Sequence, residues 1–240
     1  MDRYIDMHCH ILPGVDDGAQ NLEETRQMLQ IAFNEGTRLI IATPHHHPRR
    51  GHKRPEILNK QLRLVRAEAA KISDKFRIYL GTEVFFGQDV PEKINRGEIL
   101  TMNKRNTVLL EFSPSDSYDY IRQGVQQVQM TGNQVIIAHA ERYQCLLDDI
   151  GYAEELCDMG ASIQVNAGSI IGNGGRRAKK FVKELMDEDM VFGVGTDAHG
   201  VQTRAPKMKK AADYVKKKYG EEYMRRIFFD NAATLLRKRK

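Results

Sequence analysis

Tyr4-Ile5-Asp6-Met7-His8-Cys9-His10, running on to Val15-Asp16-Asp17-Gly18, carries the pattern that decides the architecture. A short candidate strand, Tyr4–Met7, leads straight into His8-x-His10. Side chains repeat every two residues along a strand, so both imidazoles leave one face and can grip one ion. The arrangement of strand followed by metal-binding side chain then recurs down the chain. Candidate strands Leu39–Thr43, Arg77–Leu80, Thr107–Leu110, Gln134–Ala138, Ser162–Val165 and Val191–Val194 run into His45, Glu83, Glu111, His139, Asn166 and Asp197-Ala198-His199. Six of the seven strand ends therefore carry His, Asp or Glu. Asp17 adds a carboxylate on the first loop.

Between the strands lie segments of helical period. Leu58, Leu62, Val65, Ala69 and Ile72 form one apolar stripe. Asn21 with Glu24 three residues on resembles a capping box, and that helix is predicted to stop at Gly36. Met224, Ile227, Phe228, Ala232 and Leu235 predict a closing helix. Alternating strands and helices imply parallel strands joined by right-handed crossovers. Seven such strands suit a closed barrel or an open doubly wound sheet, and periodicity does not choose. The side chains do. In a barrel all strand ends converge on one face, whereas in an open sheet they are strung along an edge. Convergence favours a closed α/β barrel in a single domain, 1–240.

Composition narrows the class. The 240 residues are 41% hydrophobic and 29% charged, enough to bury a core, and the net charge is +5. No apolar run approaches the roughly 20 residues that span a bilayer. The opening Met1-Asp2-Arg3-Tyr4 lacks the pattern of a secretory leader. Three cysteines, none in a CxxC pair, predict a reduced compartment, and a cytoplasmic location is expected.

Histidine and carboxylate suit zinc, manganese or iron, and no cysteine cluster offers a soft alternative. A single histidine after a strand is most often a loop residue, but the joint pattern has no such explanation. His46, His47 and His52 lie beyond the strand end and are expected to be ordinary loop residues. Cys9 alternates with His8 and His10, so it is expected to point into the core. Gly172-Asn173-Gly174-Gly175 lacks the Lys-Ser/Thr of a phosphate loop and reads as a plain turn. Arg49, Arg50, Lys53 and Arg54 are equally compatible with a solvated loop and a phosphate-binding rim. Arg142 and Arg204, three and five residues past His139 and His199, are expected to bind phosphate through their planar forks. The Arg237-Lys238-Arg239-Lys240 tail is expected to be a frayed helix end.

In this order, DMHCHILPGVDDGAQ from Asp6, TPHHHP from Thr43, GTEVFF from Gly81, LLEFS from Leu109, IIAHAERY from Ile136, VNAGSIIG from Val165 and GTDAHG from Gly195 resemble the PHP (polymerase and histidinol phosphatase) superfamily. The closer resemblance is to bacterial PHP-type tyrosine phosphatases encoded with capsule and exopolysaccharide genes. HxH alone is shared with amidohydrolases; HxHxLPGxDDG together with IAHxERY is far more specific. The resemblance implies a distorted, TIM-like (β/α)7 barrel with three divalent ions, manganese before iron or zinc. It assigns as ligands His8, His10, Asp17, His45, Glu83, Glu111, His139, Asp197 and His199. The strand-end pattern had selected the same residues. Arg142 and Arg204 match the arginines that hold substrate phosphate.

The implied function is hydrolysis of phosphotyrosine by a metal-activated hydroxide, on the C-terminal tail of an autophosphorylated bacterial tyrosine kinase. No nucleic-acid or membrane partner is expected, and oligomers are allowed. None of Cys9, Cys145 and Cys157 is followed six residues later by Arg, which excludes the C-x5-R cysteine phosphatase pattern. Two alternatives stay open: another phosphoesterase of the superfamily (a histidinol-phosphate phosphatase or a nuclease), and a non-catalytic kinase-binding module.

Overall fold

A computed structural model describes residues 3–236. The strands, in chain order, are β1 (Tyr4–Cys9), β2 (Thr37–Ala42), β3 (His45–His46), β4 (Arg77–Leu80), β5 (Glu83–Phe85), β6 (Thr107–Glu111), β7 (Gln134–Ile137), β8 (Ser162–Asn166) and β9 (Val191–Gly195). They form a three-stranded sheet, β1-β2-β4, and a six-stranded sheet, β3-β5-β6-β7-β8-β9. Every pairing between them is parallel.

The second and third expected strands, seen as β2 and β4, are each followed after two residues by a short strand that was not expected, β3 and β5. Pro44, between β2 and β3, has no N–H to give a ladder, so pairing breaks and resumes two residues later. Thr43 bridges the break, its N–H donating to Cys9 O at 2.9 Å and its Oγ1 accepting from Cys9 N at 3.0 Å. Gly81-Thr82 separates β4 from β5 in the same way, and each half belongs to a different sheet. Beyond the paired strands the two sheets also meet at β1 and β9. Cys9 makes a parallel bridge to Ala198, Asp197 N donates to His8 O at 2.8 Å, and His10 N to Ala198 O at 2.9 Å. Ile5 and Met7 of β1, Ile41 of β2, Leu109 of β6 and Ile136 of β7 share one buried cluster with Ala232 and Leu235. Burying such large side chains contributes roughly 1.5–3 kcal/mol apiece, so the sheets are held by a common core.

The helices between the strands follow their apolar stripes. In α1 (Leu22–Asn34) Asn21 accepts from Glu24 N at 3.0 Å, but Glu24 Oε2 reaches back to Gln20 N, one residue beyond the Asn21 N–H of a reciprocal box. The chain leaves α1 through Gly36 at φ +99. The stripe from Leu58 to Ile72 lies within α2 (Pro55–Ile72). Next come α3 (Val90–Asn95), α4 (Tyr118–Gln129), α5 (Gln144–Asp148), α6 (Gly151–Asp158), α7 (Ala167–Ile171), α8 (Gly175–Asp187) and α9 (Lys209–Tyr219). The expected closing helix is three pieces: α10 (Glu221–Arg225), a π turn at Arg226–Asp230 and α11 (Asn231–Thr234). Its stripe, Met224 to Leu235, is buried as expected. The basic tail from Arg237 lies outside the described residues. Among the described residues no helix is long and apolar enough to cross a membrane.

Candidate metal centre

Parallel pairing puts the C-terminal ends of the strands on one face, and there the nine expected ligand residues meet. Glu83, at the start of β5 and fully buried, is the hub. Its Oε1 lies 2.8 Å from His139 Nε2 and 3.2 Å from His8 Nε2; its Oε2 lies 3.2 Å from His10 Nε2 and 2.9 Å from His45 Nδ1. Asp197 Oδ1 sits 3.6 Å from both His8 and His10, and 3.5 Å from His199 Nδ1. Asp17 Oδ1 faces His45 Nε2 at 3.2 Å and His199 Nε2 at 3.4 Å. Glu111 closes the cluster, 3.6 Å from His139 Nε2 and 3.8 Å from His45 Nδ1.

Eight of the nine residues fall into three groups, in each of which the ligand atoms lie within 4.8 Å of one another: His10, Asp17, His45 and His199; His8, His10 and Asp197; His45, Glu83 and Glu111. His139 belongs to none of the three and meets the cluster through Glu83 and Glu111. Buried polar atoms ordinarily find hydrogen bonds. Here His45 Nδ1 and Nε2, Glu83 Oε2, Glu111 Oε2 and His199 Nε2 are buried and make none, although His45 Nδ1 and Glu83 Oε2 are neighbours. They crowd together without aligning on one another, which is the behaviour of atoms aimed at a shared cation. The residues present fit divalent ions.

Two site residues are held in the left-handed backbone region, His139 at φ +32 and Asp197 at φ +51. Such conformations cost of order 1–3 kcal/mol in residues other than glycine and persist where surroundings enforce them. The enforcement is visible: His139 N donates to Gln164 Oε1 at 2.8 Å, and Asp197 N to His8 O. At β9, Gly195 is required for close approach, since a Cβ there would fall 2.5 Å from His8 Cβ.

Behind the ligand residues a hydrogen-bonded chain fixes their protons. Ionised Asp197 only accepts, so Asn166 Nδ2 donates to its Oδ2 at 3.2 Å. Asn166 Oδ1 then accepts from Gln164 Nε2 at 3.0 Å, leaving Gln164 Oε1 to accept from His8 Nδ1 at 3.1 Å. In the neutral ring this leaves the His8 Nε2 lone pair toward the cluster, where a cation would take the place of the second proton. Asp16 Oδ2 does the same for His10, accepting from Nδ1 at 2.9 Å, and also takes the His45 N–H at 2.9 Å.

Burial disfavours charge on these imidazoles, but the carboxylates outweigh it. Glu83 and Asp197 push His8 up to about 9, and Asp17 and Glu83 push His45 up to about 10. Glu83 and Asp197 are in turn held well below the usual carboxylate range, against their burial, with His8 the main cause. His199 moves the other way, lowered by burial and by His10.

Arg142 and Arg204 converge from separate loops on one atom. Arg142 Nη2 and Arg204 Nη2 both contact Asp197 Oδ2, the latter at 2.7 Å, with each arginine side chain about a third or more exposed. Of the basic stretch after His45, Arg50 reaches the centre, 3.5 Å from Glu111 Oε1. His46, His47 and His52 stand outside the three groups. His47 Nδ1 accepts from Arg49 N and Arg50 N, and His46 packs on His52, its ring 5.5 Å away. Cys9 is fully buried among apolar side chains, as expected. The residues missed in the sequence are Asp16, Gln164 and the supporting role of Asn166. Their signals were the Asp doublet and a lone amide inside an apolar strand.

The chain is similar to known proteins over most of its length. The chain is 32% identical to the tyrosine-protein phosphatase CpsB of Streptococcus pneumoniae over 237 residues, 97% of this chain and 98% of that one. A crystal structure from work on YwqE of Bacillus subtilis and CpsB of Streptococcus pneumoniae, described as unique metal-dependent tyrosine phosphatases, superposes with TM-score 0.89. It is 29% identical, covering 97% of this chain and 94% of that one. The histidinol phosphate phosphatase of Lactococcus lactis shares the fold alone, at TM-score 0.56 and 15% identity, covering 90% of this chain and 94% of that one. The family described as capsular polysaccharide synthesis, CpsB/CapC, matches residues 4–237, which includes every residue of the cluster, and the chain belongs to that family.

Proposed function

We propose that the protein is a metal-dependent tyrosine phosphatase whose substrate is a phosphorylated tyrosine in the tail of a bacterial tyrosine kinase of capsule or exopolysaccharide synthesis. The observation that carries this reading is three adjoining ligand groups with two arginines at their edge. The groups support three ions. The mixed imidazole and carboxylate set suits zinc, manganese and iron alike, and manganese is our first choice because the resemblance to PHP-type phosphatases implies it. The bridge of Cys9 to Ala198 and the core shared by both sheets support a (β/α)7 barrel of one domain, distorted where β2 and β4 break. We place it in the cytoplasm on its three free cysteines.

Ions held by His8, His10, Asp17, His45, Glu83, Glu111, His139, Asp197 and His199 would acidify water from pKa 15.7 towards about 7 and offset phosphoryl charge. The chain's own groups do the rest. Arg142 and Arg204 present partly exposed forks whose remaining N–H groups can take phosphoryl oxygens, while Asp197 keeps both aimed at one point. Gln164 and Asp16 hold the His8 and His10 protons on Nδ1, away from the cluster. A phenol has pKa about 10, so tyrosine leaves with less protonation help than an alkyl alcohol. The cysteines take no part: burial raises the Cys9 thiol well above its ordinary value. The test is phosphate release from a phosphotyrosine peptide, set against histidinol phosphate and single-stranded DNA. Turnover confined to either of the latter two overturns the reading.

A further inference from the structure

Charge is shared unevenly among the three ligand groups. Glu83 touches four of the histidines and so serves the whole cluster. The other side chains set the groups apart. His45, Glu83 and Glu111 bring two carboxylates, and the one arginine paired with them among the described residues is Arg50, 3.5 Å from Glu111 Oε1. His10, Asp17, His45 and His199 bring three imidazoles and a carboxylate, Asp17, that pairs with histidines and with no arginine among the described residues.

His8, His10 and Asp197 form the weakest set. Asp197 is its one carboxylate, and Oδ2 is taken by three donors: Arg142 Nη2, Arg204 Nη2 at 2.7 Å and Asn166 Nδ2 at 3.2 Å. Only Oδ1 is left toward the imidazoles, 3.6 Å from His8 Nε2 and from His10 Nε2. The two imidazoles also differ. His10 Nδ1 is backed by the Asp16 carboxylate, whereas His8 Nδ1 has only the neutral Gln164 amide. A carboxylate behind an imidazole strengthens it as a ligand, and an uncharged amide does so less.

A cation at this position would meet two guanidinium charges across a single carboxylate. His8, His10 and Asp197 are almost fully buried, so water screens that repulsion little. A phosphoryl group carries about two negative charges and relieves the repulsion when it occupies the two arginines.

We infer that Arg142 and Arg204 keep the ion position of His8, His10 and Asp197 loose until phosphate occupies them, so that one ion of the cluster and the substrate phosphate bind cooperatively. The inference rests on the metal-dependent reading and concerns how that site fills. Linkage makes the effect reciprocal: the ion tightens phosphate by the same factor as phosphate tightens the ion.

The test is a titration of chelator-stripped protein with Mn2+, free ion being read by its EPR signal, with and without saturating phenylphosphonate, which is not hydrolysed. A titration without protein corrects for ion taken up by the analogue itself. Two tight equivalents and one looser one are expected, and phenylphosphonate should tighten the looser one about 5–150-fold, the usual span of a coupling between two sites. His8→Ala should lose that equivalent alone. In Arg142→Ala/Arg204→Ala, without the analogue, it should bind about 10–100-fold tighter than in the wild type, the scale on which neighbours of ligands tune metal affinity. The further gain from the analogue should shrink. Arg142→Lys/Arg204→Lys keeps both charges and should stay loose, which a merely structural role of the arginines does not predict. Three equivalents of equal affinity, or a looser one unmoved in the double alanine variant, overturn the inference and leave the metal-dependent reading standing. Uptake of no Mn2+ overturns both.

Discussion

Arg204 Nη2 lies 2.7 Å from Asp197 Oδ2, so a residue suited to phosphate is steered by a residue suited to metal. Arg142 meets the same oxygen from another loop. Both guanidinium groups are thus tied to one carboxylate of the cluster. Arg142→Ala and Arg204→Ala are each expected to keep their metal and fold while kcat falls by about 10²–10³, the range for one lost electrostatic contact in a transition state. Their effects should combine less than additively, because the two share a partner. Arg142→Lys should recover only part, lacking the two-pronged geometry. Metal content, Tm and kcat on one preparation decide; near wild-type kcat removes the residue from the site.

Glu83 is the side chain on which four histidines converge. Glu83→Ala should lose both bound metal and activity, and His10→Ala, Glu111→Ala and Asp197→Ala should do likewise. Elemental analysis after gel filtration checks this. Full metal content in all four variants would mean that the ions sit elsewhere.

Gly195 permits β9 to pass close to β1. Gly195→Ala would set a methyl 2.5 Å from His8 Cβ and 3.2 Å from Gln164 Nε2. The expected result is a loss of about 1–3 kcal/mol, the usual cost of overpacking, together with lower metal occupancy as His8 is displaced. An unchanged Tm and metal content would contradict the tight approach.

The convergence of these residues was legible because strand periodicity and residue chemistry coincide at the strand ends. His8-x-His10 needs only the two-residue repeat of a strand, and Asp197-x-His199 shows the same spacing. What the sequence hid was backbone geometry. Alternation of apolar residues cannot show that pairing stops at Pro44 and restarts at His45, so seven expected strands became nine. Nor does it show that Asp197 turns into the site through a left-handed conformation. Gln164 was hidden for another reason: its partners His8 and His139 are remote in sequence, and only the fold brings their hydrogen bonds together.

The thiols should be bystanders. Burial, with Asp158 and Glu154 nearby, pushes Cys157 up to about 11, and burial also raises Cys145 and Cys9. A raised thiol pKa means little thiolate at neutral pH, so alkylation of Cys157 should accelerate about tenfold per pH unit from 7 towards 10. Activity at pH 7 should survive thiol blocking, and Cys9→Ser, Cys145→Ser and Cys157→Ser should each stay active. Inactivation by an alkylating reagent that leaves metal content intact would contradict this.

Phosphotyrosine hydrolysis should depend on ions held by this His and carboxylate cluster. The most direct measurement is phosphate release from a phosphotyrosine peptide by protein stripped with a chelator, then reloaded with Mn2+, with metal per chain determined at each stage. No release is expected from the stripped protein, and recovery should follow in proportion to metal taken up. Undiminished hydrolysis by protein shown to be free of metal would contradict it.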